Sequence, residues 1–176
     1  EFNRAFVAGD HAVSADEFEG IKKRNSNMPS RMSIDVGTGS TSLKVLNSTA
    51  NMNTFLDGLH QAMKYVDGAT HIFARESVIL GIEQALRRAT APSLLTTTQD
   101  SFDRTITSFA GVPLIDVGLQ RDKATEIITT AETVTGSATA DGSSIYVVRM
   151  DTDDGLHGLQ LSGTSPEPYD PLGGSE

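Results

Sequence analysis

The stretch Ile34-Asp-Val-Gly-Thr-Gly-Ser-Thr-Ser-Leu-Lys-Val45 gathers the residues of this chain whose types and spacing come closest to a chemical motif. A carboxylate, Asp35, stands just ahead of a run of glycines and hydroxyl residues, and such a run can turn successive backbone N–H groups toward one anion. The same residues read equally as a tight turn or exposed loop between two strands, since Gly, Ser and Thr favour such backbone shapes. The dinucleotide fingerprint is incomplete, because Gly37 and Gly39 lack the third glycine at Ser42. No Gly-x-x-x-x-Gly-Lys phosphate loop, His-Glu-x-x-His zinc motif or Gly-x-Ser-x-Gly nucleophile elbow occurs anywhere.

Asp151, Asp153 and Asp154 ahead of Gly155 look like the opening of a calcium loop. The twelfth position of such a loop falls on Ser162, which cannot supply the bidentate carboxylate, so a polar hairpin turn is the expectation. His11, His60, His71 and His157 show no i, i+4 ligand spacing and read as surface or boundary residues. The absence of cysteine removes disulfides, thiol nucleophiles and thiolate metal sites in one step. No catalytic, cofactor-binding or metal-binding residue is therefore assigned, and no cofactor.

Composition narrows the function classes further. The net charge of −9 disfavours a protein whose main work is gripping phosphate backbones, which takes clustered Lys and Arg. The small basic group Lys22-Lys23-Arg24 reads as a solvated turn. No apolar run approaches the roughly 20 residues of a membrane helix. A chain of 176 residues fits one domain with a core of its own. It opens at Glu1 on what reads as a helix end, without a secretory leader, as an internal fragment of a longer polypeptide would.

The elements that must position these residues follow from periodicity. Phe2, Ala5 and Phe6 mark the last turns of an amphipathic helix that Gly9-Asp10 stops, and an irregular segment follows. Asn25 to Arg31 reads as a loop, and Met32–Val36 alternates as a short strand that Gly37 and Gly39 break. Phe55, Leu56, Leu59, Met63 and Val66 predict a helix between an N-cap at Asn53 and a terminator at Asp67-Gly68. Thr70–Phe73 predicts a strand, and Val78, Ile79, Ile82, Leu86 and Ala89 a second helix ending before Pro92. Ile106–Phe109 and Val112–Asp116 predict two strands around Gly111. Thr129–Ser143, rich in Thr, Ala, Gly and Ser, separates that layer from a predicted strand pair, Ile145–Met150 and Leu156–Leu161, turning at Asp151–Gly155. Residues 162–176, with Pro166, Pro168, Pro171 and Gly173-Gly174, read as a flexible tail or linker. The tetrapeptide Ile-Asp-Val-Gly at Ile34 and again at Ile115 is too short to establish a repeat. The fold class expected is α+β, with helices packed on a small mixed sheet.

Two resemblances attach to these residues. Ile34–Val45 resembles the phosphate-binding hairpin of the actin, heat-shock chaperone and sugar-kinase ATPases. That likeness implies Asp35 on a metal-bound water, Gly37–Thr41 around phosphate, and Asp116 with Gly118 as a second phosphate loop. Those ATPases close two large domains on nucleotide, more chain than this one provides, and their hairpin starts the domain.

The second covers Phe2 to Gln160. Phe2-Asn-Arg-Ala-Phe-Val-Ala-Gly-Asp10 resembles the end of the spine helix of a tailed-phage major capsid protein, and Phe18-Glu-Gly-Ile21 the route into its axial domain. Phe55–Val66, Thr70–Phe73 and Val78–Arg88 resemble that domain's helix–strand–helix core. Phe109–Asp116 is similar to its characteristic strand, and Ser144–Gln160 to the strand pair that follows. The resemblance implies residues 1–20 as the helix end and connecting segment, 21–161 as an axial-type domain and 162–176 as the tail. It implies assembly rather than catalysis: a shell subunit whose partners are copies of itself in pentamers and hexamers, with scaffold, portal or decoration proteins as further candidates. The shell would enclose DNA without sequence-specific binding and without a membrane, in a virion assembled in the bacterial host cytoplasm. An N-terminal arm, an extended hairpin before the spine helix and the long strands of a peripheral domain are not recognisable in the sequence.

Overall fold

The computed structural model describes residues 2–13, 18–26, 34, 43, 48–88, 94–99, 103, 105–133, 140–151 and 155–156. The expected strand Met32–Val36 apart from Ile34, the turn residues 35–42, the second strand of the last predicted pair from residue 157 onward and the tail from 162 lie outside them.

The longest helices form where the apolar spacing predicts them. Here α1 is Phe2–Ala8, α2 is Ile21–Ser26, α3 is Thr49–Tyr65 and α4 is Glu76–Arg88. In α3 the buried residues Met52, Phe55, Leu56 and Leu59 recur at i, i+3, i+4 and i+7. The helix starts earlier than the predicted Asn53 cap: Ser48, in an extended conformation, accepts the Asn51 N–H at 3.2 Å. Asn53 is exposed within the helix, so Met52 joins the buried face that the later start would have excluded. Gly68, at φ 69°, lies where the terminator was expected. In α4 the buried face is Val78, Ile82, Ala85 and Leu86, with Glu76 in the first turn and Arg87 and Arg88 in the last, each complementing the helix dipole.

The main sheet has five strands in the order β2-β3-β4-β1-β7. These are β1 His71–Ala74, β2 Leu95–Gln99, β3 Thr105–Phe109, β4 Val112–Asp116 and β7 Tyr146–Val148. A two-stranded sheet pairs β5 (Glu132–Thr133) with β6 (Ala140–Gly142). The class is therefore α+β with a mixed sheet: β1 and β4 are parallel and the other pairings of the main sheet antiparallel. Parallel neighbours need a long crossover, and α4 with the β2–β3 pair fills it.

The link between β3 and β4 is a two-residue hairpin turn. Phe109 pairs with Val112, and the intervening Ala110 and Gly111 both have positive φ, 48° and 85°, as the turn that matches strand twist requires. Then β4 changes partner along its length. Val112 and Pro113 face β3, whereas Leu114, Ile115 and Asp116 face β1. Pro113, which has no N–H to give a ladder, sits at the changeover.

Strand alternation divides the core in two. Ile72, Ala74, Phe109, Val112 and Leu114 meet α3 and α4 on one face. Phe73 and Tyr146 point the other way and pack with Val7 of α1, Ile21 of α2, and Val117, Ile127 and Ile128 from the segment after β4.

Three expectations are corrected, and one strand is added. Lys22-Lys23-Arg24 is not a turn but the body of α2, within the stretch read as irregular. Polar Leu95–Gln99 is a full strand, β2. Thr129–Ser143 is not only a spacer, since β5 and β6 lie in it. The first strand of the last predicted pair, β7, finds its partner in β1. The chain does fold back after β7, because the Leu156 N–H donates to the Arg149 carbonyl at 2.7 Å, but Leu156 is not in a strand.

Candidate functional site

The nucleotide reading places its first loop on Asp35 and Gly37–Thr41, outside the described residues, and its second on Asp116 and Gly118. There the structure builds a closed local turn. The Asp116 carboxylate accepts the Gly118 N–H at 3.1 Å, and Gly118 has φ 74°. A short carboxylate bonding the backbone two residues on is an Asx-turn, so Asp116 shapes its own turn and needs no ligand to explain it.

Of the calcium-like carboxylates, Asp151 is described, and it pairs with Arg149 at 2.6 Å. The histidines are dispersed. His60 meets Phe109 edge-on with centroids 6.0 Å apart, and His71 stacks on Phe73 at the same separation with Nδ1 2.9 Å from the Thr70 hydroxyl. His11 is exposed, and His157 lies outside the described residues. No group of three or more metal-ligating side chains converges among the described residues. A groove of about 340 Å3 along the end of α3, lined by His60, Met63, Lys64 and Val66–Ala69, is open to solvent.

The densest polar cluster escaped the sequence analysis. Glu132 of β5 takes the Ser144 N–H at 2.8 Å and the Ser144 hydroxyl on one carboxylate oxygen, and Lys22 of α2 at 2.8 Å on the other. Tyr146 stands beside it, and burial pushes its phenol up from the ordinary value. The hydrogen bond to Glu132 likewise raises Lys22. A serine beside a carboxylate has the outline of an activated nucleophile. Here the Glu132 carboxylate also takes Lys22 and the Ser144 N–H, so the cluster is a clasp joining α2, β5 and the entry to β7. No local signal announces it, because Lys22 and Glu132 are 110 residues apart.

The other basic residues of α2 are also engaged. Lys23 pairs with Asp10 at 2.9 Å, and the Arg24 Nε donates to the Glu19 carbonyl at 3.2 Å. That leaves the group poorly suited to capturing phosphate. Arg75, at the end of β1, pairs with Glu126, and its Nε is buried with no acceptor among the described residues.

What the fold presents outward is backbone. The pairing of β2 with β3 runs the full five residues, whereas β4 pairs with β3 only at Ser108 and Phe109. The outer rungs of β2 and β3 therefore form a two-stranded ribbon beyond the edge of β4. Thr96 to Gln99 are exposed along it.

No helix among the described residues is long and apolar enough to cross a membrane. No protein-family model, curated protein or solved structure matches the chain.

Proposed function

We propose that this chain is the axial-domain portion of a tailed-phage major capsid protein, a structural subunit that binds copies of itself around fivefold and sixfold axes to form an icosahedral shell around DNA. The observation that supports this reading best is the order of elements: a helix end at Phe2–Ala8, the helix–strand–helix unit of α3, β1 and α4, the hairpin through Phe109–Asp116, and then β7. Matched surfaces repeated by closed symmetry sum to a stable shell from modest individual contacts. A net charge of −9 suits a container lining that must release its DNA. Copies of the chain are the principal partners, scaffold, portal or decoration proteins are secondary ones, and the virion is the site of action.

The test is electron microscopy of the protein expressed alone with whatever flanking sequence its gene carries, beside sedimentation with and without magnesium-ATP. Shells, rings or tubes are the expected result. A dispersed protein that binds nucleotide, and loses it in Asp35→Ala, overturns the reading in favour of an actin-like or sugar-kinase-like ATPase.

A further inference from the structure

Four Asp-Gly dipeptides occur in the sequence, beginning at Asp57, Asp67, Asp141 and Asp154. In such a pair the glycine's backbone nitrogen can attack the side-chain carboxyl that precedes it, because no Cβ obstructs the approach. Attack needs an N–H that no acceptor holds and a backbone able to turn toward the carboxyl. The fold withholds these at two of the four. Asp57 and Gly58 lie inside α3, where the N–H belongs to the helix ladder. Asp141 and Gly142 lie in β6, with Gly142 in register opposite Glu132. Asp154 lies outside the described residues.

Asp67-Gly68 is placed differently. The Ala69 N–H donates to the Val66 carbonyl at 3.2 Å, which closes a turn with Asp67 and Gly68 at its centre. Gly68 has φ 69°, as the third position of a type II turn requires. Both residues are exposed, and among the described residues the Gly68 N–H has no acceptor and the Asp67 carboxylate no donor. Arg149 brings a charge to the same peptide. Its Nη1 donates to the Asp67 carbonyl at 3.4 Å, and its Cδ and Nε lie 3.5 Å from where a Gly68 Cβ would stand. Asp151 holds the guanidinium in place by accepting from Nε at 3.2 Å and Nη2 at 2.6 Å.

We propose that Asp67-Gly68 is a site of spontaneous backbone isomerisation, with Arg149 as the residue that promotes it. The Asp67 carbonyl and the Gly68 N–H belong to one conjugated peptide group, so the charge that develops on the nitrogen as it loses its proton spreads to that oxygen. A guanidinium already aimed at the oxygen favours the anion. The nitrogen then bonds to the Asp67 side-chain carboxyl carbon, and one carboxyl oxygen leaves as water with the amide hydrogen and the carboxyl hydrogen. Water returns to open the cyclic imide at either carbonyl. Opening at the side-chain carbonyl restores aspartate, and opening at the backbone carbonyl leaves isoaspartate, whose main chain runs through the side-chain methylene. One water leaves and one returns, so the product is an isomer of the starting chain.

The lengthened backbone falls between α3 and β1, just ahead of a joint of the sheet. The Thr70 N–H donates to the Val148 carbonyl at 2.9 Å, and the Thr70 hydroxyl accepts the Met150 N–H at 2.8 Å. Isomerisation at Asp67 therefore shifts the residue that fastens the end of β7 to β1.

This chemistry does not depend on the shell reading. The test holds the purified protein at neutral pH and physiological temperature, measures isoaspartate by enzymatic carboxyl methylation, and locates it by peptide mapping. The expected result is accumulation at Asp67 ahead of Asp57 and Asp141, whereas in urea the three positions react alike. Asp67→Glu keeps the charge but must close a larger, less favourable ring, so the signal at this position disappears. Arg149→Met slows the reaction by about twofold to fivefold, the contribution of one part-exposed charge. The sign of that change separates promotion from bracing: a side chain that only stiffened the turn would, once removed, let the reaction quicken. In the folded protein, an Asp67 that reacts no faster than Asp57 or Asp141, or an Arg149→Met variant that isomerises as fast as wild type or faster, overturns the proposal.

Discussion

The ring of Phe6 meets the ring of Phe73 edge-on, with centroids 5.6 Å apart and planes at 78°. One ring belongs to α1 and the other to β1, so this contact ties the N-terminal helix to the face of the sheet opposite α3 and α4. Edge-to-face geometry sets the positive rim of one ring against the negative face of the other.

Truncating this contact tests how far the second core supports the sheet. Phe73 is 8% exposed, and Phe73→Ala is expected to cost about 3 kcal/mol in urea unfolding, the usual range for a buried aromatic. Phe6→Ala, from a half-buried position, costs less. A double-mutant cycle is expected to return about 1 kcal/mol of coupling; additive single effects would mean that the rings touch without holding α1 in place.

The hairpin turn carries a correctable strain. Ala110 sits at φ 48°, a left-handed conformation that an L-residue with a Cβ adopts at a cost. Asn-Gly is the preferred pair for such a turn. Ala110→Asn is expected to raise the thermal midpoint by the equivalent of about 0.5–1 kcal/mol, and Gly111→Ala to lower it by about 1 kcal/mol. Space does not enter, because a Cβ at Gly111 meets nothing within 4 Å.

Gly20 is expected to tolerate no side chain. Its N–H donates to the Gly9 carbonyl at 2.9 Å, and an added Cβ would lie 2.7 Å from the Gly9 nitrogen and 2.8 Å from the Ala5 oxygen. These are backbone atoms and cannot rotate away. Gly20→Ala should cost about 1–3 kcal/mol, with amide exchange accelerated in α1 and α2 ahead of α3 and α4. Uniform acceleration would show that the two cores unfold as one.

Stability is expected to fall at both pH extremes for identifiable reasons. Lys22 is raised by its hydrogen bond to Glu132, and Tyr146 by burial. A raised folded-state pKa gives stability that is complete below the unfolded value, about 10 for both groups, and lost as pH climbs through the folded value. Asp10 is held low first by its hydrogen bond to Lys23, and Asp122 first by the Thr125 hydroxyl. Their contribution is present above an unfolded value of about 3.9 and lost as pH falls through the folded ones. In urea titrations across pH, Lys22→Met and Tyr146→Phe should each flatten the alkaline limb and leave the acid limb unchanged. An alkaline limb identical to wild type in both variants would remove the clasp as its source.

Local structure was largely legible in the residues. Met52, Phe55, Leu56 and Leu59, and again Val78, Ile82 and Leu86, repeat at the helical period, and each repeat lies within one short window. Gly68 and Gly111 mark a helix end and a hairpin because few other residues take positive φ. The mixed α+β class follows from that order of elements. The polar strand β2 was missed for a physical reason: it lies at an edge with most of its side chains in water, so no apolar alternation betrays it, and its run of β-branched threonines was the remaining signal.

Pairing was decided by tertiary structure alone. Nothing near Val112 says that its strand will leave β3 after Pro113 and run parallel to β1, or that β7 will take the far side of β1. Lys22 and Glu132 find each other only because α2 and the second sheet converge on one face. The sequence by itself determines what each segment can become, because propensity and periodicity act over a few residues. Which segments become neighbours depends on loop closure and on the simultaneous burial of both sheet faces, and those are properties of the whole chain.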